Sequence, residues 1–228
     1  MKKLIFSALF LITALSASAQ TEIGLKLSPS LAGNRVIANT KYDFQSEGIQ
    51  PRFGLGIVVD FFFSENYAFS TGLMYNTKGG KISYLDQDTL APAGQRIEDK
   101  YNIQYVEIPV TLKLYTNEVA LDTRLYFQLG TSLNTRISAT VNGNKVEPDN
   151  SKFSGDRTTK RFNIVELDAL VGGGLETQLG ENTKVFGGVS YHRGLTDVDN
   201  YFEKKEIFND KDIALKNGAF AIDLGIKF

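Results

Sequence analysis

The 228-residue chain has no cysteine, no tryptophan and a single histidine, His192. The lack of cysteine excludes a disulfide framework and a lipid-anchored lipoprotein, although an exported protein could have used disulfides. A dominant charge is also missing. The chain carries 25 Lys and Arg against 26 Asp and Glu, which gives no hint of nucleic acid as a partner. No Pro/Ser-rich linker divides it, so one domain is expected. After the N-terminus no segment supplies the roughly 20 apolar residues of a membrane helix. If the protein enters a membrane, it must cross as strands.

What is present begins with an export signal. Met1, Lys2 and Lys3 precede an apolar run from Leu4 to Leu15, and Ala17-Ser18-Ala19 closes the segment before Gln20. The run is too short to span a bilayer, and small residues at Ala17 and Ala19 suit signal peptidase, so residues 1–19 read as a signal peptide and residues 20–228 as the folded domain. Losing Lys2 and Lys3 leaves 23 bases against 26 acids, a net charge of −3.

From Gln20 onward, runs of about ten residues alternate apolar and polar, the weak per-segment signature of membrane barrel strands. Eight are expected: Glu22–Leu31, Arg52–Phe63, Tyr67–Asn76, Tyr105–Tyr115, Arg124–Ile137, Phe162–Thr177, Thr183–Arg193 and Ala219–Phe228. Successive side chains of a strand face opposite ways, and sorting by parity separates two surfaces. One is almost entirely apolar and carries no charge, as in Leu25 and Leu27, Leu55 and Ile57, Ile108 and Val110, or Leu224 and Ile226. The other combines glycines with seven acids and seven bases: Glu22, Lys26, Arg52, Asp60, Glu107, Lys113, Arg124, Arg136, Glu166, Asp168, Glu176, Lys184, Asp223 and Lys227. A soluble barrel would turn the apolar face inward. A narrow eight-stranded barrel cannot hold Phe and Leu from every strand, so the bulky face should meet lipid and the small, polar face should fill the lumen.

Connection lengths agree. Ser64-Glu65-Asn66, Thr116–Thr123 and Leu179–Asn182 are short, whereas 33–51, 77–104, 138–161 and 194–218 are long. The pattern predicts an all-β, eight-stranded antiparallel up-and-down transmembrane barrel with periplasmic turns and termini and four extracellular loops. Phe61, Phe63, Tyr67, Phe69, Tyr115, Phe127 and Phe228 would form the periplasmic aromatic girdle, and Phe53, Tyr75, Tyr191 and Phe220 the outer one. Pro109 sits oddly in a closed barrel, since it withholds an N–H from the ladder; a local bulge is the expected accommodation.

These strands resemble the PorT-like outer membrane protein beta-barrel domain family over essentially the whole mature chain. The likeness is carried by Ile23-Gly24-Leu25-Lys26-Leu27, Gly54-Leu55-Gly56, Tyr105-Val106-Glu107-Ile108-Pro109-Val110, Gly172-Gly173-Gly174-Leu175-Glu176, Tyr191-His192-Arg193-Gly194-Leu195-Thr196-Asp197 and the terminal Phe228. It implies an outer-membrane location and offers no catalytic residues. Resemblance to other barrels also implies that Phe220, Ile222, Leu224, Ile226 and Phe228 form the terminal signal read by the barrel assembly machinery.

Chemistry-bearing residues are few. Ser190, His192 and a carboxylate of Glu166 or Asp168 could suggest nucleophilic catalysis, but parity points them into the lumen, away from lipid substrates. Asp86-Gln87-Asp88 and Asp197-Val198-Asp199-Asn200 lack the full calcium-loop spacing and read as solvated loop acids. Glu203-Lys204-Lys205-Glu206 reads as an exposed loop face. No cofactor or metal is expected. The expected lumen network comprises Arg52, Asp60, Glu107, Lys113, Arg124, Arg136, Glu166, Asp168, Glu176, Lys184 and Asp223, with Glu107, Asp168, Arg124 and Arg136 as leading members. The preferred role is structural or interactive, through displayed loops or docking to an envelope protein, with lipid and lipopolysaccharide as surroundings. A small-solute channel and a lipid-modifying enzyme are the alternatives.

Overall fold

The computed structural model describes residues 20–85, 95–146, 155–202 and 213–228. Residues 1–19, Asp86-Gln87-Asp88 and Glu203-Lys204-Lys205-Glu206 lie outside them. The strands are β1 (Gln20–Ile37), β2 (Gln45–Ser46), β3 (Gln50–Ser64), β4 (Tyr67–Lys78), β5 (Lys81–Leu85), β6 (Arg96–Ala120), β7 (Thr123–Val141), β8 (Val165–Gln178), β9 (Lys184–Gly194) and β10 (Ala214–Lys227). Eight of them form a ring in the order β1-β3-β4-β6-β7-β8-β9-β10, and β10 pairs antiparallel with β1 to close it. The seam runs to the last residue: Phe228 N–H donates to the Ile23 carbonyl at 2.9 Å and Ile23 N–H to that of Phe228 at 3.2 Å. Such closure leaves no open edge.

The alternation foreseen in the sequence is the alternation of the ring. Ile23, Leu25, Leu27, Leu55, Ile57, Leu112, Leu129, Val171, Ile222 and Leu224 are exposed on its outside, whereas Glu22, Asp60, Glu107, Glu166, Asp168, Glu176, Asp223 and Lys227 are buried within. Among the described residues no helix is long and apolar enough to cross a membrane; the strands do so. Bulky inner side chains fit because glycines face them. A Cβ on Gly188 would lie 2.5 Å from both the Tyr126 hydroxyl and the Gly173 carbonyl oxygen, and one on Gly225 would lie 2.3 Å from the Phe186 ring. The Tyr126 hydroxyl and the tip of the Phe186 ring therefore pack directly against bare backbone.

Two expectations are corrected here. Tyr115 does not join the aromatic girdle: it is buried in the lumen, as the parity it shares with Glu107 and Lys113 requires. Pro109 causes no bulge either. The β4–β6 register is the same on both sides of it, from Thr71↔Val110 to Met74↔Glu107, with the intervening pairs missing, and the β7 side is continuous through Pro109↔Ser132. Thr71 Oγ1 donates to the Pro109 carbonyl at 2.8 Å, so a side chain serves the interrupted stretch.

The strands are longer at one end than the hydrophobic pattern suggested. The turn end has tight connections, such as Leu121-Asp122, where Asp122 takes the left-handed conformation (φ 51°). At the opposite loop end β1, β6, β7 and β10 rise beyond the apolar band, β5 pairs with the extension of β6, and β2 pairs with β5. Conversely, β8 starts at Val165 rather than Phe162. Phe162 instead belongs to a second apolar core at the loop end, with Tyr42, Ile82, Tyr84, Tyr101, Ile103, Tyr105, Ala139, Val141, Val198, Tyr201, Phe202, Ile213 and Leu215. The segments read as loops thus build a packed cap.

Candidate functional site in the lumen and cap

At the turn end of the lumen Lys227 is the hub. Its ammonium lies 2.6 Å from Asp60 Oδ2 and 3.4 Å from Glu22 Oε2, and it pairs with Glu176. It also donates to the Tyr115 hydroxyl at 3.0 Å. Lys113 donates to both oxygens of Asp60, at 3.0 and 2.9 Å, and Ser70 Oγ donates to the same carboxylate at 2.5 Å. Lys184 pairs with Glu22 and stands 3.7 Å from Glu176, while Arg124 reaches Glu176 at 3.5 Å. Glu22, Asp60 and Glu176 bring carboxyl oxygens within 4.8 Å of one another, a spacing that could serve a metal ion. Lys227 contacts all three and supplies the cation itself. Buried charges need such partners, because taking them out of water costs several kcal/mol apiece.

Farther along, Lys26 faces Asp223 at 3.4 Å and Ser28 Oγ donates to it at 2.6 Å. Toward the loop end Lys78 pairs with Asp168 and donates to Asn134 Oδ1 at 2.9 Å. Asn217 donates to Glu166 at 2.9 Å and Asn76 to Glu107 at 2.5 Å. His192 Nδ1 faces Glu107 Oε1 at 3.8 Å. The carboxylate nearest the histidine thus comes from β6 across the lumen, while Asp168 and Glu166 are engaged by Lys78 and Asn217. The internal voids beside His192 and beside Tyr126 are each about 20 Å³, room for about one water. A wider cavity of about 660 Å³ opens at the turn end, lined by Gln20, Glu22, Glu65, Glu118, Arg124 and Lys184 among others.

The cap has its own buried ion pair. Arg161 donates to Asp99 Oδ2 at 2.8 Å, Asn142 to Oδ1 at 2.9 Å and the Tyr84 hydroxyl to Oδ2 at 3.2 Å. The guanidinium lies over the Tyr201 ring, 3.8 Å from its centre, a close cation–π contact. Burial, reinforced by the Asp99 charge, holds the Tyr84 and Tyr101 hydroxyls well above the usual phenol range. Asp197 and Asp199 are not solvated loop acids. Asp199 is buried and accepts the N–H groups of Tyr201 and Phe202, and Asp197 those of Asp199 and Leu215. Both fix turns by side-chain to backbone bonding.

Of the eleven residues expected in the lumen network, Asp60, Glu107, Lys113, Glu166, Asp168, Glu176 and Asp223 are buried inside the ring. Lys184 and Arg124 are partly exposed at its turn end. Among the described residues Arg52 and Arg136 contact no carboxylate; they donate to the backbone carbonyls of Tyr101 and Asn163. Lys78 was missed because β4 was ended at Asn76, two residues short. Its signal was parity, since it follows Met74 and Asn76 on the inner face.

A family model described as "Outer membrane protein beta-barrel domain" matches residues 16–200. The chain belongs to that family. No curated protein sequence matches this outer-membrane barrel. Among solved structures it is similar to OprG from Pseudomonas aeruginosa, at 12% identity and a TM-score of 0.53 over 94% of this chain and 98% of that one. Neisserial surface protein A follows at 13% identity and a TM-score of 0.49, covering 92% of this chain and 99% of that one. The Escherichia coli outer membrane protease OmpT aligns at 10% identity and 0.48, covering 92% and 96%. At such identities the likeness to OprG speaks to fold alone. The barrel's location is the cell outer membrane.

Proposed function

We propose that this barrel is a closed structural or interaction protein that presents its cap outside the cell, belongs to the PorT-like branch of its family, and matures by removal of residues 1–19. The reading rests on the filled lumen. Lys227, Lys113 and Lys184 with Glu22, Asp60 and Glu176 occupy its turn-end cross-section, Lys78 with Asp168 and Glu166 its upper part, and the voids between them hold about one water each. Catalysis has little support: His192 is buried against Glu107, and its alcohol neighbour Ser190 is buried too. The apolar core under the cap favours a surface of fixed shape, suited to recognition by an envelope or extracellular partner. Short turns in the periplasm and the cap outside follow the rule for such barrels.

Planar-bilayer recording of the refolded protein tests the closed lumen. No stable conductance is expected, and one comparable to a general porin would overturn the proposal in favour of the channel alternative. Cysteines at Glu47 and Lys145, both exposed at the loop end, should react with an impermeant reagent on whole cells, whereas one at Leu121 should not. The reverse pattern would overturn the orientation.

A further inference from the structure

Three cations converge on the outer wall of the barrel at the loop-end margin of its lipid-facing band, where Ile37 and Leu195, one outward step past Arg35 and Arg193, are the exposed apolar residues that follow. Arg35 of β1 stands directly opposite Lys216 of β10 in the antiparallel register. Arg193 of β9 pairs with Gly218, two residues along β10 from Lys216, and thus faces the same way. Parity places all three outside: Arg35 follows Leu31, Lys216 precedes Phe220 and Arg193 follows Tyr191, each at an even spacing from an exposed apolar residue. For Arg35 and Lys216 four residues of strand advance about 13 Å, or roughly 10 Å along the axis of a barrel tilted near 40°, and for Arg193 two residues advance about half as far. That carries the side chains from the hydrocarbon edge into the headgroup layer.

Like charges directly opposite each other weaken a sheet unless something neutralises them. Among the described residues none of the three forms an ion pair, and Lys216 donates to the Leu195 carbonyl at 2.7 Å. Two other pairs of opposed cations are treated differently: Glu98 lies 2.5 Å from Lys81 in the pair Lys81 and Lys100, and Glu22 and Glu176 contact both members of the pair Lys184 and Lys227. The cluster is also one-sided. The first outward residues past the band on β4, β6 and β7 are the uncharged Thr77, Gln104, Asn102 and Thr135, and the charged Lys100 and Glu98 follow only farther along β6.

We infer that Arg35, Lys216 and Arg193 form a binding site for the phosphate groups of an outer-leaflet glycolipid, with the acyl chains lying along Leu31, Phe220 and Tyr191 below. Arginine presents a donor fork matched to phosphate oxygens, and lysine adds a point charge. A bridging phosphate supplies the anion that the opposed pair lacks. The inference rests on the loop end facing outward, because the phosphorylated glycolipid occupies that leaflet.

The test is retention of bisphosphorylated lipid A, counted by native mass spectrometry, on the full barrel refolded in neutral detergent. The wild type should retain it. The triple variant Arg35→Gln/Lys216→Gln/Arg193→Gln should bind about tenfold or more weakly, the loss of one or two charge-assisted contacts. Lipid A stripped of its phosphates should bind wild type and variant alike, and inorganic phosphate alone should not compete at equal concentration. The control Lys81→Gln/Lys100→Gln should bind as wild type does, and heat-modifiable gel migration confirms that each variant is closed. Equal retention by the wild type and the triple variant, or equal loss in the control, would overturn the site. Whole-cell labelling of Lys145→Cys separates that result from a failure of the orientation, which would leave the in-vitro preference intact while denying the lipid access in cells.

Discussion

Lys227 shows what one buried side chain carries. It meets Glu22, Asp60 and Glu176 at once and is almost wholly shielded from solvent. Lys227→Met keeps the volume but leaves three carboxylates short of a cation, so we expect a loss of about 3–5 kcal/mol in urea unfolding from micelles. Arg124→Ala should cost about 1 kcal/mol or less: it is 24% exposed, and Glu176 keeps Lys227. A larger effect at Arg124 than at Lys227 would refute this ranking. Parity placed Lys227 inside from the sequence, yet its central position was not legible there. Glu22 is 205 residues away, and only ring closure brings the two together.

At the scale of elements, period-two alternation was readable because lipid demands an unbroken apolar face from each strand. Beyond the band that demand ends, and so did the signal. The cap core draws on Tyr42, Ile82, Tyr101, Phe162, Val198 and Phe202 from separate segments, none of which forms an apolar run. One trace was available: on β6 the inner parity continues from Glu107 through Tyr105, Ile103 and Tyr101 to Asp99, all buried. The phenols make the cap alkali-sensitive. Tyr84 and Tyr101 resist ionising when folded but ionise near pH 10 when unfolded, so their contribution is complete below about pH 10 and falls as pH rises further. Near-ultraviolet circular dichroism should lose cap signal by about pH 11, and Tyr84→Phe/Tyr101→Phe should move that loss upward. An unchanged titration would refute it. Within the ring, Gly188→Val should block the Tyr126 position and lower refolding yield, costing about 1–3 kcal/mol or more; a wild-type yield would contradict the close approach seen there.

As a whole molecule, the protein should migrate faster on a denaturing gel when unheated than when boiled, because every strand of the closed ring is paired on both sides. Identical migration would argue against closure in solution. The fold class and the order of strands around the ring were legible because each strand pairs with its neighbours in sequence. The cap was not, because its partners are distant in the chain.

The seam between β1 and β10 has a consequence for how the chain can be cut. Gly24 sits opposite Lys227, and Phe228 bonds to Ile23, so the two ends of the folded domain emerge side by side, while Leu121-Asp122 is a two-residue solvent-facing connection on the same rim. A circular permutant that joins Phe228 to Gln20 through a short glycine linker and starts at Asp122 keeps every strand pair of the ring. It should refold to the same heat-modifiable barrel, with its old seam turned into an ordinary hairpin.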